Sequence, residues 1–209
     1  MKLYGYWRST TSYRARIALN LKGLAYETVP VNLGDGAQRN QDYLALNPLG
    51  GVPSLMLDDG TVLTQSMAIL DYLEKSFPTP PLLPSDPVAA AKTRAAAMVI
   101  ACDIHPLNNL RVMARLKGMG HSTEDAVDWM TDWMQQRLRT YATLLPGGTA
   151  FSFGDAPTIA DLCLIPQLYN ARRWDLDLSG FSHLTEIEAR CLSLAAFDRA
   201  RPEAQPDAT

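Results

Sequence analysis

Residues 2–31 read KLYGYWRSTTSYRARIALNLKGLAYETVPV, and the spacing of their apolar residues changes twice along this stretch. Residues 2–7 and 26–31 are short runs rich in aromatic and β-branched side chains, which is typical of strands. Between them, residues 13–24 carry apolar side chains at helical spacing. The order strand, helix, strand predicts a βαβ unit, in which the two strands lie parallel.

A second block follows at residues 54–77. Residues 54–57 and 61–64 flank a turn at Asp58, Asp59 and Gly60, which predicts a tight antiparallel hairpin. Residues 66–77 return to helical spacing, and Pro78 ends that pattern because proline cannot continue a helix. The first half of the chain therefore predicts βαβ followed by ββα.

A proline-dense segment separates this half from the rest of the chain. Helical patterns dominate beyond it, with candidate helices at residues 88–117, 123–145, 158–173 and 183–199. We therefore predict an α/β domain at residues 1–79, a proline-rich linker at 80–87 and an all-helical domain at 88–209.

Composition narrows the class of protein. The chain is 47% hydrophobic and 20% charged, a balance typical of a soluble globular protein. Its formal net charge of -3 argues against a nucleic-acid or membrane-surface protein, since those need a basic surface. No apolar run approaches the roughly 18 to 20 residues that a membrane span requires. We expect a mature, cytoplasmic chain.

The cysteines and histidines show no metal-site or disulfide pattern. Cys102, Cys163 and Cys191 lie far apart without a CxxC pair, and the three histidines have no ligand spacing. We expect these cysteines to be buried structural thiols, and we expect no metal.

Hydroxyl groups follow the first predicted strand, at Ser9, Thr10, Thr11 and Ser12, directly after Arg8. Backbone N–H groups at a helix N-terminus favour an anion, and a thiol bound there would have its pKa lowered. No cysteine of the chain lies in this stretch, so a nucleophilic sulfur would have to come from a cosubstrate. The alternative, in which these hydroxyls only cap the helix, stays open.

Two further pairs outline the same kind of site. A cis bond between Val52 and Pro53 would expose the Val52 backbone to a peptide-like ligand. Ser66, which follows Gln65 at the start of a predicted helix, would bind a carboxylate. With the hydroxyl-rich stretch, these pairs indicate a site for a small acidic thiol peptide, for which glutathione is the obvious candidate.

Residues 7–19, WRSTTSYRARIAL, resemble the signature of zeta-class cytosolic glutathione transferases, whose members include maleylacetoacetate and maleylpyruvate isomerases. The likeness covers nearly the whole chain and continues at residues 45–48, 52–53, 65–66, 102–109, 158–161 and 205–207. It implies a thioredoxin-like βαβ-ββα domain followed by a C-terminal helical domain, with glutathione as cofactor and a homodimer as the assembly.

The resemblance also implies roles for individual residues. Ser9 would activate the glutathione sulfur, within a catalytic set of Arg8, Ser9, Thr10 and Thr11. Many members have cysteine where this chain has Thr11, so any role of that thiol is absent here. The implied glutathione-binding residues are Ser9, Gln38, Val52, Pro53, Gln65, Ser66, His105, Asn108 and Asn109.

Pro106 interrupts a helical pattern, which costs about 3 kcal/mol in a helix interior unless the local structure compensates. The break would either aim His105, Asn108 and Asn109 at the site or form a purely structural bend, and both interpretations stay open. Thr158 to Asp161 fit a helix-capping box, which we interpret as structural.

Arginines stand out in this acidic chain because guanidinium groups bind carboxylates in bidentate fashion. Arg8 and Arg173 match the arginines of the family, and Arg111 is a further candidate for substrate binding. The alternative is that they are ordinary solvated side chains. Their number and the Asn108–Asn109 pair slightly favour maleylpyruvate over maleylacetoacetate, although either substrate fits.

The resemblance implies a glutathione-dependent isomerase of a cis-enedioic keto acid, acting by thiolate addition, bond rotation and elimination. The expected partners are glutathione and a small dicarboxylate, without nucleic acid or membrane. One alternative is a general glutathione transferase that conjugates small electrophilic or halogenated compounds. Another is a binding module that has kept the fold and lost the chemistry.

Overall fold

The computed structural model describes residues 1–209 and divides into two compact units. Unit 1 comprises Met1–Leu82 and Leu192–Thr209, and unit 2 comprises Leu83–Cys191. Unit 1 contains a mixed sheet with helices, and unit 2 is helical. The predicted fold class, an α/β part followed by a helical part, is confirmed.

Unit 1 contains a four-stranded sheet in the order β2-β1-β3-β4. The strands are β1 (Lys2–Gly5), β2 (Glu27–Pro30), β3 (Ser54–Met56) and β4 (Val62–Thr64). β1 pairs parallel with β2, which confirms the predicted βαβ unit, and antiparallel with β3. β3 and β4 form the predicted hairpin.

Nine α-helices follow one another along the chain. They are α1 (Thr10–Leu21), α2 (Gln41–Leu46), α3 (Ser66–Ser76), α4 (Pro87–Met98), α5 (Leu110–Gly118), α6 (Thr123–Leu144), α7 (Ile159–Arg173), α8 (Ser182–Leu192) and α9 (Ala195–Asp198). None of them combines the length and the apolar character that a transmembrane span requires.

α1 belongs to unit 1, and most of its residues are buried. It starts three residues before its predicted beginning because Ser9 caps it, and it ends before Gly23, whose φ of 67° lies in the left-handed region. Its Ile17 is fully buried together with Leu3 of β1, Leu55 of β3 and Ile69 of α3. These apolar side chains form the core that holds α1 in unit 1.

The predicted helical stretch at residues 88–117 is three separate segments in unit 2. After α4, residues Val99–Ile104 form a π-helix, in which the His105 N–H donates to the Ile100 carbonyl over 3.0 Å. The chain then turns at Pro106, and α5 begins after Asn109. The prediction of one helix is therefore corrected, since Pro106 lacks the N–H that a continuous helix needs.

The last predicted helix, at residues 183–199, is likewise two helices, α8 and α9. The break coincides with the unit boundary, because Leu192–Thr209 belongs to unit 1. The predicted domain at residues 88–209 assigned this segment to the helical part instead. Asn20 of α1 donates to the Ala196 carbonyl over 2.9 Å, and Arg16 donates to the Ala200 carbonyl over 2.9 Å.

A buried capping box begins α7 in unit 2, as predicted. Asp161 is fully buried, and its carboxylate accepts hydrogen bonds from the Thr158 N–H at 2.7 Å and the Ser152 N–H at 2.9 Å. Burial raises the pKa of Asp161, and these hydrogen bonds oppose that rise. One carboxylate therefore joins the start of α7 to the loop before it.

We predict that Asp161→Ala lowers the free energy of unfolding by about 3 kcal/mol, because two buried N–H donors lose their acceptor. Urea denaturation measures this. The control is Asp125→Ala, which removes the exposed capping box of α6, where water can replace the lost acceptor. Equal losses in the two variants would contradict the importance of burial at Asp161.

Candidate functional site

Ser9 lies where β1 has ended and α1 begins. Its backbone is extended, with φ of -72° and ψ of 123°, and its Oγ accepts a hydrogen bond from the Ser12 N–H at 3.2 Å. The Ser9 N–H in turn donates to the Tyr6 carbonyl over 3.0 Å. Ser9 is therefore an N-cap, and its hydroxyl lies at the positive end of a 12-residue helix.

A chain of hydroxyl groups connects Ser9 to a neighbouring backbone carbonyl. Thr11 Oγ1 donates to the Val52 carbonyl over 2.8 Å and lies 2.9 Å from Ser9 Oγ. A hydroxyl has one proton, and Thr11 uses its proton on the carbonyl, so Ser9 is the donor to Thr11. The structure thus brings together three predicted site residues. The Val52–Pro53 bond is cis, as the sequence suggested.

The start of α3 is a second place that suits an anion. Gln65 precedes the helix with φ of 67°, and its side chain makes no capping hydrogen bond. Ser66 is the first helical residue and is buried. Helix N-terminal N–H groups attract carboxylates, and a strained non-glycine backbone of this kind is typical of functional sites. Carboxylate binding by Ser66 and this helix end stays a prediction, and their position is compatible with it.

Gln38 lies in a short 3₁₀ helix, Ala37–Arg39. Its Oε1 is buried and has no hydrogen-bond partner within the protein. A Cβ added at Gly50, which has φ of 57°, would lie 3.1 Å from the Gln38 carbonyl. The backbone at Gly50 therefore packs closely against Gln38 and leaves little room for a side chain. The unpaired Gln38 amide oxygen suits a ligand that donates a hydrogen bond.

Arg8 is exposed and lies against aromatic rings. Its Cζ is 5.1 Å from the centroid of the Trp7 ring and 6.0 Å from that of Tyr6. Its Nη2 is 3.5 Å from the Tyr6 hydroxyl. Stacking restrains the guanidinium group while leaving it accessible to solvent, which suits the bidentate binding of a carboxylate.

The predicted site residues of unit 2 lie near the ends of helical segments. Asn109 caps α5, since its Oδ1 accepts from the Arg111 N–H at 3.1 Å, which supports the structural interpretation of this residue. Asn108 has a buried Nδ2 without a partner within the protein, and His105 ends the π-helix. Arg173 is exposed at the end of α7, with its Cζ 5.9 Å from the Trp174 ring centroid.

Comparison with known proteins identifies the family of the chain. Residues 8–76 match the family described as glutathione S-transferase, N-terminal domain. The maleylacetoacetate isomerase of Pseudomonas aeruginosa is 46% identical over 99% of this chain and 98% of its own length. The zeta-class glutathione S-transferase of Euphorbia esula is 40% identical over 100% of this chain and 93% of its own. The chain belongs to the zeta class of the glutathione S-transferase family.

Solved structures of relatives are similar over the whole length of the chain. The holo structure of a maleylpyruvate isomerase, a bacterial zeta-class glutathione S-transferase, has a TM-score of 0.97 and 44% identity, with both chains covered completely. The maleylacetoacetate isomerase of Methylobacterium extorquens AM1, solved with malonate and glutathione, has a TM-score of 0.96 and 43% identity, again with complete coverage.

Sequence reasoning missed Asp207, which supports the loop from Trp7 to Ser9 of this zeta-class chain. The Asp207 carboxylate accepts a hydrogen bond from the Trp7 N–H at 3.0 Å. Asp207 lies in the 205–207 stretch that resembles the family, but the residue it contacts is 200 positions away. No signal within the sequence identifies such a pair. The structure also contains no cluster of three or more side chains that could hold a metal ion.

We predict that Asp207→Ala loosens the loop from Trp7 to Ser9, whereas Asp207→Asn leaves it largely intact because an amide oxygen still accepts. Losing a hydrogen bond to a charged acceptor costs about 1.5–3 kcal/mol, so amide hydrogen exchange at Trp7 should speed up about tenfold or more in the alanine variant. Unchanged exchange in Asp207→Ala would contradict this role.

Proposed function

We propose that the chain is a glutathione-dependent cis–trans isomerase of a keto acid that carries a maleyl unit, either maleylpyruvate or maleylacetoacetate. The observation that carries this proposal is the Ser9 hydroxyl at the start of α1, in a chain closely similar to proteins with those isomerase names. The maleylpyruvate isomerase of a Ralstonia species is 45% identical over 99% of both chains.

The residues of unit 1 fit glutathione in three ways. The uncapped start of α3 with Ser66 would bind a carboxylate, and the Val52 backbone and Gln38 would contact the peptide portion. The Ser9 hydroxyl and the N-terminus of α1 would stabilise a thiolate and lower its pKa.

Bound glutathione supplies a sulfur nucleophile that adds to the cis double bond and leaves again after rotation, so it is recovered unchanged. Ser9 would provide the hydrogen bond that keeps the sulfur deprotonated near neutral pH. To do so, its hydroxyl must turn from Thr11 Oγ1 towards the sulfur, which a single bond rotation allows. Thr11 would meanwhile keep its hydrogen bond to the Val52 carbonyl.

The two carboxylates of the substrate require cationic partners. We propose that role for Arg8 of unit 1 and, on the family resemblance alone, for Arg111 and Arg173 of unit 2. His105 and Asn108 stay predicted glutathione-binding residues. Relatives support this choice of ligand class: one was solved with malonate and glutathione, and that of Anaeromyxobacter dehalogenans with dicarboxyethyl glutathione and citrate. All three arginines are exposed, so their guanidinium groups are accessible to a small dicarboxylate.

The assembly and the location belong to the same proposal. A homodimer is proposed on the family resemblance. A cytoplasmic location is proposed because all three cysteines are free. Cys163 and Cys191 are buried as expected, whereas Cys102 is exposed, which corrects the expectation that it is a buried thiol. Free cysteines of this kind are usual in a reducing compartment.

We predict that the chain isomerises maleylpyruvate or maleylacetoacetate only when glutathione is present, measured by the loss of substrate absorbance. Arg173→Ala and Arg8→Ala should each lower kcat/KM by roughly 10- to 100-fold, because each removes a charge-assisted hydrogen bond. The matched control is Arg139→Ala, which removes an exposed arginine of α6.

The faster of the two substrates identifies the physiological class. Activity that is confined to halogenated electrophiles would contradict the proposal and favour a general glutathione transferase. Equal losses in Arg139→Ala and Arg173→Ala would contradict the specific role of Arg173.

A further inference from the structure

A charged side chain without an ionic partner lies inside unit 1. Arg14 of α1 is 1% exposed, and its Nε and Nη2 have no hydrogen-bond partner within the protein. Its hydrogen bond runs from Nη1 to Ser66 Oγ, over 3.5 Å. Burying a charge without compensation is costly, so this arrangement opposes folding. A role other than stabilising the free chain would explain why it is there.

Arg16 shows what a compensated arginine looks like on the same helix. It is 2% exposed, and it donates to the Ala200 carbonyl at 2.9 Å, the Trp7 carbonyl at 2.9 Å and the Tyr6 carbonyl at 3.4 Å. These bonds tie the C-terminal segment to the loop before α1. Arg14 has no comparable set of acceptors, and its burial therefore has no explanation in the packing of unit 1 alone.

The contact with Ser66 places Arg14 beside the start of α3. Ser66 accepts from Arg14, which leaves the single proton of its own hydroxyl available to donate to a ligand. The Gln65 side chain does not cap the helix, so the positive end of α3 is also available. A buried cation, a donor hydroxyl and a helix N-terminus thus coincide, and all three favour an anion.

We propose that Arg14 is a positioning residue for the α-carboxylate of the γ-glutamyl group of glutathione. It orients the Ser66 hydroxyl and places a buried positive charge behind the start of α3. The inference rests on the proposed function only in that glutathione is the ligand; it does not depend on which substrate is isomerised.

Arg14 should lower the stability of the free chain and strengthen its binding of glutathione. In the free chain, the buried guanidinium group is a destabilising element. When the carboxylate binds, the two charges compensate each other and the cost of desolvation is offset. Replacing Arg14 by methionine, which is apolar and of similar length, should therefore stabilise the free protein and weaken glutathione binding.

The experiment uses the full chain and the variants Arg14→Met, Arg14→Lys and Arg16→Met. Differential scanning fluorimetry gives the Tm of the glutathione-free proteins. Isothermal titration calorimetry gives the Kd for glutathione and for an analogue in which the γ-glutamyl α-carboxylate is an amide. The analogue separates an effect on the carboxylate from a general loss of the site.

We expect Arg14→Met to raise the Tm of the free protein by about 2 °C or more and to weaken glutathione binding about tenfold. The same variant should bind the amide analogue as the wild type does. Arg14→Lys, which keeps a positive charge, should bind glutathione more tightly than Arg14→Met. Arg16→Met should lower the Tm, because three carbonyls lose their donor.

An unchanged glutathione Kd in Arg14→Met would overturn the proposal. So would equal weakening for glutathione and the amide analogue, or a fall in Tm as large as that of Arg16→Met. Failure of the proposed function is a separate result: the wild type would bind glutathione with the expected pattern of Kd values but would not isomerise either maleyl substrate.

Discussion

The hydrogen bond from the Ser12 N–H to Ser9 Oγ fixes the residue at which α1 begins, and the candidate site depends on that position. From this start, the helix directs Thr11 to the Val52 carbonyl and Arg14 to Ser66. It also directs Arg16 to two places, the loop before α1 and the C-terminal segment. Successive residues of a helix are separated by about 100°, so a start displaced by one residue would turn each of these side chains away from its partner.

α1 also carries two buried arginines whose environments differ. Arg16 donates to the carbonyls of Tyr6 and Trp7, before α1, and to the carbonyl of Ala200 in the C-terminal segment. Its charge therefore contributes to the fold. Arg14 contacts one hydroxyl, and the compensation for its charge comes from the proposed ligand. One helix therefore holds a structural arginine and a functional one, separated by half a turn. A binding site that is destabilising when free is a common consequence of preorganisation.

Local patterns predicted much of the fold, and contacts between distant residues account for most of the rest. The strand pattern of β1 and the hairpin of β3 and β4 are local, and both were predicted. Ser9, Val52 and Ser66 were predicted as site residues because each lies at the end of an element, where backbone groups are exposed.

α2 is only six residues long and was missed. Asp207 and the return of Leu192–Thr209 to unit 1 depend on contacts between distant parts of the chain. Arg14 was not assigned to the site, because its lack of partners is visible only in the fold.

The most direct test of this account is the pKa of the glutathione thiol when it is bound to the protein, measured from the ultraviolet absorbance of the thiolate as the pH is raised. The account predicts a value clearly below the usual thiol pKa of about 8.5 in the wild type, and a return towards that value in Ser9→Ala. A bound thiol that titrates like the free one in the wild type would contradict the role of Ser9 and of the start of α1.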